Sequence, residues 1–463
     1  MIITFTVSNF LSFDEKQSFS LEAGKARKHA SRLYKNRNLR ILKFMSLFGG
    51  NAAGKSNLIK SINFMKCMVT DGLPRGFSNS YFREDSCNKD KPTEFSIVLL
   101  LNKKRYEYGF TIVLSKGLIR NEYLNRLQLN GEKKNIYIRD IENNLFKVGE
   151  EIKLKKNQNR LKMYGEDSLL NGESLFLGIM NHGKDALYTE RSELNVLKDI
   201  FEWFKYGLSI NNANGLLSER PFYSDSDIKE VTSILKALGL GITDFNYIDI
   251  SMDRIQNMVP REILEDILSE LEKRSVEGDV EPGIVLRGNK EFYTFKMNKD
   301  KKLKVKTIAF KHESDDIYFD LNEESDGTAR IFDLVEILLS SAENKVFIID
   351  EIDRGLHPIM TIKIISAFLS LAEIRKTQLI VTTHESRLLN DDLLRTDEVN
   401  FIVKDNVGAS SIKKLESFNL RSDKKVLTAL FDGTLEEVNP KVDYDALLNV
   451  VGQRRKEMLN NGQ

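Results

Sequence analysis

The chain has 463 residues, 41% of them apolar and 30% charged, with a net charge of only +1. That length implies two or three modules, or one domain carrying an insertion. The near-neutral balance excludes a global demand for nucleic acid or membrane as partner and leaves only local patches. Cys67 and Cys87 match no zinc or redox spacing and are too few for a disulfide scaffold, so reduced thiols in a cytoplasmic protein are expected. The start, MIITFTVSNF, has no basic segment followed by an apolar core and does not read as a signal peptide. Apolar runs such as residues 97–101 and 346–349 are strand-sized, against the roughly twenty residues a membrane span needs.

In chain order, residues 2–7 (IITFTV) read as an edge or first strand. Residues 25–43 carry eight Lys/Arg, with His29 and no acid. A short apolar strand at 44–48 runs into a glycine-rich loop and a helix over 57–69. Residues 93–101, 106–114 and 118–129 read as consecutive strands. From about 173 the pattern becomes helical, with apolar spacing over 194–206 and 226–238. A helix over 261–274 is opened by Pro260 and carries Ile263, Ile267, Leu268 and Leu271 on one face. Strands return over 284–310 with a basic hairpin at 299–306. From 327 onward helix and strand alternate, as in a parallel α/β sheet. The expected division is an N-terminal lobe over 1–172, a mostly helical insertion over 173–280, a C-terminal lobe over 281–420 and a helical or partly disordered tail over 421–463. No heptad pattern runs long enough for an extended coiled coil.

The motif that carries chemistry is Gly49-Gly50-Asn51-Ala52-Ala53-Gly54-Lys55-Ser56, a full match to G-x-x-x-x-G-K-[ST]. Small residues let the backbone N–H groups wrap a phosphate chain, and the following helix presents its positive end. Lys55 would supply a point charge, and the Ser56 hydroxyl a Mg²⁺ ligand. Residues 346–351 (VFIIDE) form an apolar run ending in two acids, of which Asp350 would hold Mg²⁺ through water and Glu351 would polarise an attacking water. These two halves lie 295 positions apart (350 − 55). Ser325-Asp326-Gly327-Thr328 precedes a helix and reads either as a second phosphate-binding helix start or as a plain cap. Asp353 and His357 follow the acids in a loop. His384 ends the next strand, 34 positions after Asp350 (384 − 350), where it could hydrogen-bond a terminal phosphate.

The ordered set VSNFLSF, GGNAAGKSN, ESDGTAR, FIIDEIDRGLHP and VTTHE resembles the SMC-like, ABC-type ATPases. The resemblance is strongest to a bacterial AAA-ATPase-like, OLD-related branch found in anti-phage defence. It implies an α/β fold: an ABC-type P-loop ATPase head with a mostly helical insertion. It further implies ATP and Mg²⁺ as cofactors and a homo-oligomer closed by a head-to-tail ATP sandwich. Asn51, Gly54, Lys55, Ser56 and Asn57 would hold nucleotide on one face. Ser325, Gly327 and Thr328 of a second subunit would close the other. Asp353 would lie in the D-loop, and Asn9 and Ser12 near base and ribose. No glutamine takes the Q-loop place. Only 79 residues follow His384 (463 − 384), too few for the Toprim nuclease of OLD-type relatives, so a separate effector nuclease is the expected partner, with a phage protein or DNA as trigger. The alternatives are an SMC-like DNA-repair or chromosome-associated ATPase and, less well matched, a transporter subunit. The basic stretches at 25–43, 153–162 and 299–306 read as solvated loops or as a positive surface for DNA or an acidic partner.

Overall fold

The computed structural model describes residues 1–190, 192–211, 225–276, 282–339 (apart from 289, 299, 301 and 313–316), 343–389, 393–418, 426–432, 435, 438 and 443–450. Its centre is a six-stranded sheet assembled from both ends of the chain. In spatial order the strands are Leu208–Asn211, Val346–Ile349, Gln378–Thr382, Phe44–Phe48, Val399–Lys404 and Ser410–Lys414. The first five run parallel, and the last is antiparallel to its neighbour. A parallel sheet must be covered on both faces, which is why these strands read as unbroken apolar runs. Met45, Leu47, Val346 and Ile348 face the same core as the helix Lys55–Thr70. Phe44, Phe48, Phe347 and Ile349 face the helices Asp326–Leu339 and Pro358–Leu371.

A seven-stranded antiparallel sheet, which includes the 93–101, 106–114 and 118–129 strands expected above, covers the N-terminal half. Ile2–Ser8 lies one in from its edge, between Gln17–Ser20 and Thr93–Leu101. Gln378 joins this sheet to the central one: its carboxamide accepts from the Ile2 N–H and donates to the carbonyls of Ile2 and Leu42. Within the antiparallel sheet, Glu122 and Arg139 pair at 3.3 Å with both side chains fully buried. Glu122 also accepts from the Tyr108 and Tyr137 hydroxyls and from the N–H groups of Phe176 and Leu177. Arg139 donates to the carbonyls of Ser168, Asn171 and Ser174. These bonds fasten the short helix Phe176–Asn181 to the sheet. A third sheet holds Ile242–Asp249, Leu303–His312, Glu291–Met297 and Gly283–Gly288 in that order, with Tyr318–Asp320 paired to Leu303–His312.

Several elements differ from the expectation. Two strands interrupt the segment 173–280 that was expected to be mostly helical. Leu208–Asn211 is four residues of parallel edge strand, too short to register as a period, and Ile242–Asp249 has a mixed burial pattern without clean alternation. Most of the 153–162 cluster is not a loop: from Lys155 it forms the helix Lys155–Ser168, and the Glu193 carboxylate accepts from the N–H groups of Lys153 and Leu154 just before it. Part of the 25–43 run is tied down, since Arg32 donates to Leu393 O at 2.7 Å and Lys43 to Ala372 O at 2.5 Å. Of the expected tail, Val426–Phe431 is helical, whereas 421–425 and 451–463 lie outside the described residues, as do Lys299 and Lys301 of the basic hairpin.

Replacing Arg139 by Leu leaves the buried Glu122 charge without its cation. Breaking a buried pair in this way costs about 3–5 kcal/mol. The expected result is a lower urea midpoint for the chain, read by tyrosine fluorescence; an unshifted midpoint would remove the pair from the stability of the antiparallel sheet.

Candidate functional site

The glycine-rich loop leaves the C-terminal end of Phe44–Phe48 and enters Lys55–Thr70. Two of its glycines are required by crowding from the other end of the chain. A Cβ on Gly49 would sit 2.4 Å from the Ile402 carbonyl oxygen. Gly54 has φ +112, and a Cβ there would sit 2.3 Å from Ser410 Oγ and 2.7 Å from Ser12 Oγ. The Ser410 hydroxyl donates to Ala53 O and contacts Ser12 Oγ, and Asn57 Nδ2 donates to Ser12 Oγ at 2.9 Å. Ser12 therefore braces the loop from behind. Asn9 is also internal: its amide donates to Asn88 O and Lys91 O and accepts from the Phe82 N–H. This placement ties down the segment 9–14 and engages both the amide nitrogen and the amide oxygen of Asn9.

Residues 51–57, Glu351, His384 and Lys404 line one cleft of about 620 Å³. The sequence-distant halves thus meet. Between Phe44–Phe48 and Val346–Ile349 lies Gln378–Thr382, the strand that leads to His384. Lys55 Nζ donates to Gly49 O at 2.8 Å and Gly50 O at 3.1 Å. Burial pushes the Lys55 ammonium below its usual range, while Asp350, Glu351 and Asp353 pull it back up. Asp350 is buried, and its Oδ1 accepts from the Thr382 hydroxyl at 2.5 Å. The same Thr382 oxygen accepts from the Glu351 N–H at 2.7 Å. Glu351 takes φ +50, a conformation rarely adopted by a residue with a side chain. The backbone N–H of His384 donates to the Asp353 carboxylate at 3.2 and 3.3 Å. Burial and the facing Lys55 lower the His384 pKa from its ordinary 6.5, against the pull of Asp353, Glu351 and Asp350. His357 caps the helix Pro358–Leu371 through Nδ1.

Ser325, Gly327 and Thr328 do not line this cleft. Ser325 Oγ accepts from the Thr328 N–H at 3.0 Å and contacts its hydroxyl at 2.8 Å, which is cap geometry. A Cβ on Gly327 would stand 3.2 Å from Gly355 O, so the loop after the acids runs against the start of this helix.

The family model described as "AAA domain, putative AbiEii toxin, Type IV TA system" matches residues 44–179 and 232–390, well over half of the chain. The chain belongs to this AAA-domain family. Its two matched segments contain the glycine-rich loop and the paired acids respectively. No curated protein matches the chain. Among solved structures it is similar to the Smc head bound to the C-winged helix domain of ScpA, at 12% identity over 90% of this chain and 99% of that one, with TM-score 0.36. It is also similar to the SMC head domain from Thermotoga maritima, at 12% identity over 89% and 98%, with TM-score 0.30. At scores this low the fold assignment stands on the sheet order and the loop geometry instead.

Sequence reasoning missed Arg330, Asn211, Thr382 and Lys404. Arg330 is nearly buried and donates to Asn211 Oδ1, Asp350 O and Glu351 O. Its place after Ser325-Asp326-Gly327-Thr328 was visible, but its bonds depend on the Leu208–Asn211 strand that the helical reading hid. Thr382 was quoted in VTTHE without a role.

Because the His384 pKa is lower folded than unfolded, the unfolded chain takes the extra proton first as pH falls. Stability tied to neutral His384 is complete above about 6.5 and declines below it. Titration of ¹³C-labelled histidine by NMR should place the His384 midpoint below 6.5, and Lys55→Met should raise it by removing the facing charge. An unmoved midpoint in the variant would separate the two residues.

Proposed function

We propose that this chain is an ATPase in which two copies close head to tail on nucleotide, and that it serves as sensor or scaffold in an anti-phage defence system controlling a separate effector nuclease. The observation that carries the ATPase reading is the convergence of Lys55, Glu351 and His384 on one cleft, with Asp350 and Asp353 close enough to act on the lysine charge. The cradle fits a phosphate chain: Gly49 and Gly54 let the loop lie close against Ile402 O and Ser410 Oγ behind it, and its lysine is desolvated beside acids. Asp350 is held by one oxygen, which leaves the other for a metal-bound water.

In this reading Gly49, Asn51, Gly54 and Asn57 shape the cradle. Lys55 exchanges its bonds to Gly49 O and Gly50 O for phosphate oxygens. Ser56 and Asp350 would hold Mg²⁺, which would supply charge neutralisation at the phosphates. Glu351, aimed by Thr382 and Arg330, takes the proton from the attacking water. His384, kept neutral by its surroundings, donates a hydrogen bond to the terminal phosphate. Asp353 positions the His384 backbone. Ser325, Gly327 and Thr328 of the second copy cover the exposed side of the phosphates. The lobe division at 172, 280 and 420 belongs to the same proposal, with 173–280 supplying an arm or dimerisation element.

The defence role is supported by the toxin–antitoxin wording of the family description and by the motif order, which resembles the ATPase of the PARIS anti-phage system. A Toprim-type nuclease fits as effector and a phage protein or DNA as trigger. No helix among the described residues is long and apolar enough to cross a membrane.

Lys55→Ala should abolish ATP binding in isothermal titration; unchanged affinity would count against the cradle. Glu351→Gln should bind ATP normally and release phosphate at least ~100-fold more slowly. Ser325→Arg should keep nucleotide binding by one copy while light scattering shows no ATP-dependent pairing, and pairing that survives this change would end the sandwich model.

A further inference from the structure

Three hairpin turns meet at one end of the seven-stranded sheet. They join Tyr34–Asn36 to Leu39–Ile41, Thr93–Leu101 to Lys104–Val113, and Leu118–Leu127 to Lys133–Asp140. Between them lies a cavity of about 320 Å³ lined by five cations, Arg37, Lys103, Lys104, Arg105 and Arg126, and by no carboxylate; the rest of its wall is leucine and two amides. It shares no residue with the cleft at the phosphate loop.

Neighbouring acids compensate this charge only in part. Glu151 pairs with Arg126 at 2.8 Å. Asp199 lies near enough to Lys104 to feel its charge. The Arg105 guanidinium donates to Gln128 O, a neutral group. Arg37 and Lys103 make no ion pair among the described residues. Both also sit where the backbone favours another residue: Arg37 has φ +53 and Lys103 φ +62, and Asn102 before it has φ +49. Glycine or asparagine fills such turn positions at lower cost. Two of the eleven described non-glycine residues with positive φ are thus cations on one small cavity. Mutual repulsion among these cations is offset when an anion enters.

The shape narrows the anion. No aromatic side chain lines the cavity, so it offers no platform for stacking a base. Three arginines present planar forks suited to phosphate oxygens. We propose that this cavity is a second phosphate-binding site, which takes successive phosphate groups of a phosphate chain, either the backbone of a nucleic acid or a free oligophosphate. This assignment is independent of ATP turnover at the other cleft.

The test uses the full chain carrying Lys55→Ala, so that the phosphate loop contributes no lysine. A fluorescein-labelled DNA duplex of about 20 base pairs is followed by anisotropy at several salt concentrations, with tripolyphosphate and polyglutamate as competitors. The expected result is displacement by tripolyphosphate and not by polyglutamate. Adding Arg37→Gly and Lys103→Gly should weaken binding about ten-fold and lower the salt slope by about two, with a melting temperature equal or higher because glycine relaxes both turns. Arg37→Gln with Lys103→Gln should give the same loss by removing charge alone. If the duplex does not bind but tripolyphosphate does, read by titration calorimetry and lost in both variant pairs, the ligand is a free oligophosphate. Failure of both probes to bind, binding unchanged in both variant pairs, or equal displacement by polyglutamate overturns the proposal; the last result would make the cavity a surface for an acidic protein.

Discussion

The site depends on the parallel pairing of Phe44–Phe48 with Gln378–Thr382 on one side and Val399–Lys404 on the other. Neither half of the chain contains a complete site. The N-terminal half supplies the glycine-rich loop and Lys55, and the C-terminal half supplies the acids and the imidazole of the cleft. Backbone hydrogen bonds across two strand pairs set their relative position, and both faces of those strands are buried, so a register slip would cost the whole core alternation. The same pairing makes the glycines necessary, because it brings Ile402 O and Ser410 Oγ against the loop.

The electrostatics follow from that placement. A lysine taken out of water would lose its proton more readily, but three carboxylates stand close enough to oppose this. The same lysine, together with burial, keeps His384 in its neutral form, in which it has one N–H to donate and one acceptor nitrogen. The acids are held by a few specific bonds. Thr382 fixes Asp350 through its hydroxyl and Glu351 through the N–H, with one oxygen atom serving both. That double contact sustains the positive φ of Glu351, a conformation that costs on the order of 1–3 kcal/mol when not enforced by its surroundings.

Legibility in the sequence followed the range of the forces involved. The strands at 44–48, 93–101 and 346–349 were legible because mostly apolar runs of strand length, too short for a helix, left little choice. The glycine-rich loop was legible because its spacing is tied to one ligand geometry. The Leu208–Asn211 strand was not, since four residues between helices carry no period and its identity comes only from pairing with Val346–Ile349. A resemblance places the segment of Asn9 without telling which of its atoms are free; here its amide is fully engaged by Asn88, Lys91 and Phe82. The Lys153–Lys162 stretch misled because composition reports charge but not the helix from Lys155, nor the Glu193 carboxylate, forty positions from Lys153, that ties down the chain entering it. The placement of Arg37 and Lys103 at left-handed turns is likewise a property of the backbone that no count of basic residues reveals.

Arg330 shows how the parts outside the cleft bear on those within it. It lies in the helix that begins beside Ser325 and donates to the carbonyls of both acids and to Asn211 at the end of the edge strand. Its guanidinium is poorly hydrated and largely buried, so these bonds have no ready substitute in water. Gly327 meets the backbone of Gly355 on the same side. The helix start, the acid-bearing turn and the loop after it therefore form one mechanically continuous unit. Arg330 thus links the helix that begins beside Ser325 directly to the backbone of Asp350 and Glu351. Ser325 and Glu351 are thus joined by contacts within the C-terminal part of the chain, whereas Lys55 comes from the N-terminal part and meets them only through the central sheet.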